Sequence, residues 1–341
     1  MTNSFKAFEG EKVAIVHDRA SSLPDEYRSG YRGLLEVPFK ITASFNGVTK
    51  TWEDDPLKPE EREEFLYFLQ KTQPLTSMPN VGDYTKAYEQ IIASGITEIG
   101  VIPMSDGPRM SGSQNSAKIA AKELIDEDKA NIVVFNSKTV SIGQGLLINQ
   151  ADVENRAGNF NTADELIGRV KDLSSGLYMA QAFSDLDHLE KGGRIGKIMK
   201  VAGGALHIVP IIGIGEDGGL KSIAKKREWK RAHRAIIEHV AEGVASHDPD
   251  GKLGNIAVRL AFIEFESKQI DVLRSKVMGL VQQEADNEKE KEAKFKPATG
   301  VDGKPYDILR YKEGMVTATY SGLEVCGLGG LVTTEMDVEQ S

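Results

Sequence analysis

Three short apolar runs limit the folds open to this chain, because each ends in polar residues and lies near a segment with helical periodicity. The runs are KVAIVHD, EIGVIPM and NIVVFNS, at residues 12–18, 98–104 and 131–137. Helix-like segments cover 82–94 and 114–126, and TADELIGRVKDLSS ends near residue 175. Alternating strands and helices predict a parallel sheet flanked by helices. We therefore predict an N-terminal α/β domain over residues 1–175, with functional loops at the carboxyl ends of its strands.

After about residue 176 the pattern changes to strand-like runs separated by long helices. The runs are GLYMAQAF, ALHIVPIIGIGEDGGLKSIA, GNIAVRLAFI and MVTATYSGLEV, and a long helix-like segment covers 227–245. Glu-Asp-Gly-Gly at 216–219 is typical of a hairpin loop, because glycine accepts the positive φ of tight turns. We predict a C-terminal mixed α+β domain over residues 176–341, with a charged insertion at about 284–305. The 341 residues suffice for two such domains, so the predicted fold class is a two-domain α/β protein.

Composition narrows the cellular setting. The single cysteine, Cys326, excludes an internal disulfide framework, and the first thirty residues lack the basic-then-apolar order of a signal peptide. No run of about 18 apolar residues occurs, so no membrane span is expected and a cytoplasmic location is predicted.

The net charge of −9 argues against general nucleic-acid binding. Residues 188–234 nevertheless carry eleven Lys or Arg against four Asp or Glu, which indicates a solvated face or a docking patch for a phosphate-bearing ligand or an acidic partner.

A Ser-Gly-Ser step in the sequence RMSGS, residues 109–113, follows the second apolar run and precedes a helix-like segment. One hypothesis is a hydrolase in which Ser111 is the nucleophile and His17 and Asp18 complete a triad, but RMSGS lacks the Gly-x-Ser-x-Gly elbow. The first apolar run is not followed by a phosphate-binding or dinucleotide-binding glycine loop, so ATP and NAD are not expected. No His, Cys and carboxylate cluster has metal-ligand spacing.

A strand, a loop rich in glycine and hydroxyl groups, and then a helix can instead form an anion site, because amide N–H groups and the helix dipole converge there. A second stretch of this kind, PLTSMPNVGDY at 74–84, carries Thr76 and Ser77 just before a helix. In a parallel sheet both loops can face one crevice. The alternative is that Thr76, Ser77, Ser111 and Ser113 only cap helices and form turns.

Five segments in this order resemble the DegV family, whose best understood members are the fatty-acid-binding subunits of bacterial fatty acid kinase. The most specific of them contains KGGRI. The segments are LTSMPN (75–80), MSGSQNSA (110–117), FNSKTVSIGQGLL (135–147), LDHLEKGGRIGK (186–197) and ALHIVPIIGIGEDGGL (205–220).

The resemblance implies a non-catalytic carrier that binds one long-chain fatty acid in a tunnel between two domains and needs no other cofactor. The carboxylate contacts of the family fall on Thr76 and Ser111, and Ser77, Gly112 and Ser113 are implied to shape the same site. Docking of an ATP-dependent kinase subunit, which would form the acyl phosphate, is implied for Arg194 and for the basic stretch that includes Arg227 and Lys230.

The chain departs from the family where histidines are usual. The nearest counterparts are Leu260-Ala261 and the segment VCGLG at 325–329, and neither contains histidine. This departure keeps open a DegV-like binder of another amphiphile without kinase coupling. Nucleic-acid binding through the basic segment is disfavoured, because no aromatic platform accompanies the charge.

Overall fold

A computed structural model describes residues 10–23, 33–53, 59–184, 186–195, 208–247, 256–263, 296–297, 308–311 and 325–334. Within these ranges the strands are β1 (Val13–Asp18), β2 (Leu34–Val37), β3 (Lys40–Phe45), β4 (Val48–Glu53), β5 (Leu75–Ser77), β6 (Glu98–Val101), β7 (Asn131–Val134), β8 (Leu177–Phe183), β9 (Ile208–Ile214), β10 (Leu220–Arg227), β11 (Ile256–Ile263), β12 (Lys296–Pro297), β13 (Ile308–Tyr311) and β14 (Val325–Thr334). The helices there are α1 (Pro59–Lys71), α2 (Val81–Ala93), α3 (Ser113–Asp126), α4 (Ile142–Arg156), α5 (Ala163–Ser175), α6 (Asp187–Lys191) and α7 (Trp229–Ser246).

The N-terminal part contains a parallel sheet of order β2-β1-β6-β7, as the three apolar runs predict. Every residue of β1 is buried, because helices cover both faces of the sheet. On one face, Val16 and Ile99 pack with Tyr84 and Tyr88 of α2 and Ala117 of α3. On the other face the sheet packs against α4 and α5.

The C-terminal sheet has the order β10-β9-β8-β14-β11-β12, with β13 also paired to β11. Its pairs are antiparallel except for those that join β11 to β12 and β13. Helix α7 covers one face, where Ile236 and Val240 pack against Ile211 and Leu328. The predicted fold class, a parallel N-terminal sheet with helices followed by a mixed C-terminal sheet, is confirmed.

Helix α4 lies between the two large sheets. Its residues 142–155 are all buried, and it contacts β1 on one side and β8, β11 and β14 on the other. Leu146 and Ile148 belong to a single apolar cluster that includes Ile15 from β1, Ile212 from β9 and Leu331 from β14. The two halves of the chain therefore share one core.

A small antiparallel sheet of order β4-β3-β5, which the sequence analysis did not predict, packs on α1. Ile41 and Trp52 face α1, where the Trp52 ring meets Phe65 and Phe68 edge to face. The opposite face carries hydroxyl pairs such as Thr42 with Thr51.

Several predicted boundaries change. Residues 75–77 of the loop predicted at 74–84 form strand β5, and the helix predicted at 227–245 begins at Trp229, because Arg227 ends β10. Except for Val325, the strand predicted over 315–325 lies outside the described residues, as does the insertion at 284–305 apart from Lys296–Pro297. Among the described helices, none is both long and apolar enough to cross a membrane.

Candidate functional site

A cavity of about 900 Å³ is lined by residues of the small sheet and the C-terminal sheet and by loops that follow strands of the parallel sheet. Most of its wall is apolar, and its polar side chains come from β5, the β6–α3 loop, the start of α4, β8 and the segment after α6. That size and lining are typical of a site for a small organic ligand. The apolar lining includes Phe39, Met104, Met110, Val140, Phe183 and Leu220.

The buried Asp18 carboxylate, at the end of β1, holds the loop beside the cavity in place. It accepts hydrogen bonds from the Ser113 hydroxyl at 2.6 Å, the Gln144 amide at 3.0 Å and the Met104 N–H at 3.0 Å. Burial raises the pKa of Asp18, and these hydrogen bonds oppose that rise. The Asp18 carboxylate thus connects the end of β1 by hydrogen bonds to the β6–α3 loop, the start of α3 and α4.

The Ser-Gly-Ser step lies at the start of α3. Ser111 and Gly112 line the cavity, whereas the Ser113 side chain is fully buried and bonds both to Asp18 and to the Tyr84 hydroxyl, at 2.8 Å. Burial raises the pKa of Tyr84 well above its usual value, so its proton stays in this network. The Ser111 oxygen accepts the Ser113 N–H at 3.1 Å, which leaves the Ser111 hydroxyl proton available to an acceptor in the cavity.

Thr76 lines the cavity, where the pairing of β5 with β3 places it. Thr76 lies opposite Ile41 in this antiparallel pair, and opposite residues share a face of the sheet. Ile41 is buried, so the shared face points inward, and Thr76 is partly buried there. Ser77 follows and also lines the cavity. The structure therefore brings Thr76, Ser77, Ser111 and Gly112 to one cavity, whereas Ser113 contacts Asp18 behind it.

The turn between β9 and β10 closes one wall by packing on the loop after β6. The Ser105 hydroxyl donates to the Gly218 carbonyl at 2.8 Å. A Cβ on Gly107 would overlap the Gly218 backbone, so glycine is needed for this close approach. Gly107 and Leu220, on either side of the contact, both line the cavity.

Of the three basic residues implied for partner docking, only Arg194 lines the cavity. It follows Gly192 and Gly193 after α6, and its guanidinium donates to the Gly192 carbonyl at 2.5 Å. Arg227 is exposed at the far end of β10 from Leu220, which places it on the order of 20 Å along the strand from the cavity wall. Lys230 is exposed in the first turn of α7.

The geometry does not support a Ser111-His17-Asp18 triad. The His17 Nδ1 atom lies 3.0 Å from the backbone carbonyl of Asp18 and 3.5 Å from the Ser21 hydroxyl, and Nε2 lies 3.9 Å from Glu36. The Asp18 carboxylate is occupied by Ser113 and Gln144. A triad needs the carboxylate to hold the imidazole and the imidazole to face the serine.

Sequence reasoning missed one buried polar group of the cavity, Gln181 of β8. Its amide donates to the Ser141 hydroxyl at 3.2 Å, and both residues line the cavity. Gly327 of β14 lies opposite Gln181, and a Cβ there would come within 2.6 Å of the Gln181 side chain. In the sequence, Gln181 is a single polar residue in an apolar run, and Gly327 lies far away along the chain. Only the pairing of β8 with β14 brings the two residues together, so the sequence did not indicate this part of the site.

Residues 12–296, more than half of the chain, match the family model "Uncharacterised protein, DegV family". The chain belongs to the DegV family. A DegV domain-containing protein of Caldanaerobacter subterraneus subsp. tengcongensis is 30% identical over 231 residues, which cover 67% of this chain and 77% of that protein. The family resemblance predicted from the five segments is confirmed.

Solved DegV structures share the fold. A fatty-acid-binding DegV family protein from Thermus thermophilus matches with a TM-score of 0.70 and 19% identity, covering 94% of this chain and 100% of that one. The Fatty Acid Kinase (Fak) B3 protein of Streptococcus pneumoniae, loaded with linoleic acid, matches with a TM-score of 0.64 and 17% identity, again over 94% and 100% of the two chains. At these identities the likeness establishes the fold.

In this DegV chain, the positions where the family usually has histidine fall on paired strands. Leu260 and Ala261 of β11 lie opposite Gly330 and Gly329 of β14. The neighbouring Cys326 is buried, and burial raises the pKa of its thiol to about 12, so it stays protonated at neutral pH. Among the described residues, no group of three His, Cys, Asp or Glu side chains is arranged to hold a metal ion.

Proposed function

We propose that the protein binds one long-chain fatty acid in the cavity and presents its carboxyl group to an ATP-dependent kinase partner, which forms the acyl phosphate. The ligand would lie between an N-terminal domain, residues 1–175, and a C-terminal domain, residues 176–341. The observation that carries the proposal is the apolar cavity of about 900 Å³ with the hydroxyl groups of Thr76 and Ser111 in its wall.

The apolar wall accounts for affinity. Burying one methylene group contributes about 0.8 kcal/mol, so a tail of about sixteen carbons gains on the order of 10 kcal/mol before ordering costs. Phe39, Phe183 and Leu220 supply part of the required surface. Tight binding therefore needs no strong polar contact.

The hydroxyl groups account for orientation. A carboxylate buried without partners costs several kcal/mol, so it binds where donors are ready. Thr76, Ser77 and Ser111 bring side-chain hydroxyl groups to the cavity, and Gly112 caps α3, whose N-terminus carries a partial positive charge. Arg194 adds a full positive charge to the lining.

A carrier role without catalysis is consistent with the hydrogen bonding of Asp18 and Ser113, the polar side chains behind the cavity. The carboxylate of Asp18 and the hydroxyl of Ser113 are hydrogen-bonded to each other in the interior, away from the cavity lining. The relatives loaded with fatty acids support the ligand class, and the kinase protein among them supports the partner. Among the described basic residues of segment 188–234, Arg194 lines the cavity and can meet a partner at the carboxyl end, with Arg227 and Lys230 as more distant docking positions.

Binding of another amphiphile without kinase coupling is the second candidate. The observation that favours it is the absence of histidine from Leu260-Ala261 and from residues 325–329. Both candidates use the same cavity. They are distinguished by the identity of the bound ligand and by whether a kinase subunit phosphorylates it.

The first experiment identifies the ligand. The purified protein is extracted with organic solvent, and the released molecules are identified by mass spectrometry. We expect one fatty acid per chain. Recovery of no fatty acid, together with no binding of added palmitate, would overturn the proposal, and recovery of a different amphiphile would support the second candidate.

The second experiment tests the partner. The palmitate-loaded protein is incubated with ATP and a fatty acid kinase catalytic subunit, and acyl phosphate is trapped with hydroxylamine. We expect hydroxamate from the wild type and a loss of about tenfold or more for Arg194→Ala when both proteins are loaded with the same amount of palmitate. Full lipid loading without any hydroxamate would leave a carrier without kinase coupling.

A further inference from the structure

Arg109 occupies a backbone position that normally belongs to glycine. Residues 107–110 form a turn closed by a hydrogen bond of 3.0 Å from the Met110 N–H to the Gly107 carbonyl. Pro108 is its second residue, and Arg109, its third, has a φ of 65°. This is the pattern of a type II turn, in which the third residue is usually glycine or asparagine. A bulky residue in this conformation is strained, and strained residues cluster at ligand sites.

The C-terminal sheet holds this turn in place. Gly107 lies against the backbone of Gly218, and the Pro108 ring lies near Gly219. The hydrogen bond from Ser105 to the Gly218 carbonyl secures the same contact. This contact fixes the start of the turn, and its last residue, Met110, is buried in an apolar cluster, so the backbone of Arg109 has a defined position close to Ser111.

The Arg109 side chain adds a positive charge to the cavity lining. It lines the cavity, is largely exposed, and forms no hydrogen bond or ion pair in the described part of the chain. Asp106, the one carboxylate among the described lining residues, accepts a hydrogen bond from the Asn136 amide. Arg194, the other cation of that lining, comes from the opposite half of the chain.

We propose that Arg109 contacts the anionic head group of the bound lipid and makes the cavity select ionised acids over neutral amphiphiles of the same length. The inference rests on the proposed lipid-binding function and adds a specificity residue to it. The hydroxyl groups of Thr76 and Ser111 can bond to an alcohol as well as to an acid, because a hydroxyl both donates and accepts. A guanidinium only donates and is charged, so it favours the carboxylate.

The test compares palmitate with hexadecanol by equilibrium dialysis of radiolabelled ligand against delipidated protein at pH 8. Three variants are measured with the wild type: Arg109→Gly, Arg109→Lys and, as the matched control, Lys138→Gly. Lys138 is also an exposed cation with positive φ, at 48°, but it lies outside the cavity lining.

For Arg109→Gly we expect palmitate affinity to fall about tenfold or more, hexadecanol affinity to stay within about twofold, and the melting temperature to stay or rise by up to about 3 °C as strain is relieved. Arg109→Lys should keep most of the preference for palmitate, and Lys138→Gly should keep all of it. If Arg109 only stabilised the fold, its replacement would change the affinities for palmitate and hexadecanol to the same extent.

The results test the role of Arg109 separately from the proposed binding of lipid. If Arg109→Gly binds palmitate as well as the wild type, or loses both ligands equally, the role of Arg109 is overturned while lipid binding stands. If the wild type binds neither ligand, the proposed function falls and this inference falls with it.

Discussion

Two serines in one loop, Ser111 and Ser113, differ in what their hydroxyl groups contact. The Ser113 hydroxyl donates to Asp18 and bonds to Tyr84 in the interior. The Ser111 oxygen accepts one backbone N–H, and the residue lines the cavity. Stability and ligand retention should therefore depend on different members of this pair.

We expect Ser113→Ala to lower the free energy of unfolding by about 2–3 kcal/mol, because a buried carboxylate and a buried phenol lose their shared partner. Ser111→Ala should lower it by less than about 1 kcal/mol but reduce the fatty acid retained after purification. Urea unfolding and lipid quantification measure the two effects. Full lipid retention by Ser111→Ala would contradict its assignment as a head-group contact.

A second residue-scale prediction concerns Asp152 of α4. Burial is the main cause that raises its pKa from 3.8 to about 7, and the nearby Arg156, at 2.8 Å, opposes the rise. Because the folded state holds this proton more tightly than the unfolded chain, the contribution to stability is complete below pH 4 and is lost as the pH rises towards 7. Asp152→Asn removes the titration, so its stability relative to wild type should increase between pH 4 and pH 8, by up to about 4 kcal/mol.

Denaturant unfolding at several pH values checks this expectation. Asp126→Asn is the matched control, because Asp126 is also paired with a cation four residues away, Lys122, but is exposed. An exposed ion pair contributes little to stability, so we expect Asp126→Asn to keep the free energy of unfolding within about 0.5 kcal/mol of the wild type. Parallel pH profiles for Asp152→Asn and the wild type would contradict the raised pKa.

At the scale of elements, the contact between the β9–β10 turn and the loop after β6 forms one cavity wall. A Gly107→Ala substitution would force the two backbones apart. We expect a loss of about 1–3 kcal/mol in unfolding free energy and faster release of bound lipid, because the wall opens where the substitution acts.

Gly168→Ala provides the comparison for this substitution. Gly168 lies in α5, and a Cβ added there would meet open space, so alanine should stabilise the helix by about 0.5–1 kcal/mol and leave lipid release unchanged. Equal release rates in Gly107→Ala and the wild type would show that this wall does not control release.

The sequence predicted the elements whose patterns are strong. Strands β1, β6 and β7 are apolar runs because helices cover both faces of their sheet. Helix α4 was not predicted, since residues 142–155 are buried on every side and show no polar stripe. The sheet of β3, β4 and β5 was missed because most of β4 is exposed and β5 has only three residues.

The same reasoning applies to the candidate site. Thr76, Ser77, Ser111, Gly112 and Arg194 were singled out from local motifs, and all line one cavity. The inward position of Ser113 depends on Asp18 and Tyr84, which lie far away in sequence. Gln181 could be assigned to the site only from the pairing of β8 with β14. Arg109 could be assigned to it only from the packing of Gly107 on Gly218.

For the whole molecule, the shared core predicts cooperative unfolding. Helix α4 contacts both large sheets, so neither sheet can lose its packing without exposing the helix. We expect one calorimetric transition for the delipidated protein, and one at higher temperature after loading with palmitate, since a ligand that binds only the folded state stabilises it. Two transitions, of which only one shifts with palmitate, would contradict a common core.

The burial of α4 on both sides also has a consequence for biosynthesis. A nascent chain emerges from the ribosome with its N-terminal part first, so residues 13–175 are complete before β8 to β14 exist. Until those strands arrive, the face of α4 that later meets β14 remains uncovered and apolar. During that interval we expect the unfinished polypeptide to bind chaperones that recognise exposed apolar surface, and we expect a prematurely terminated product to aggregate.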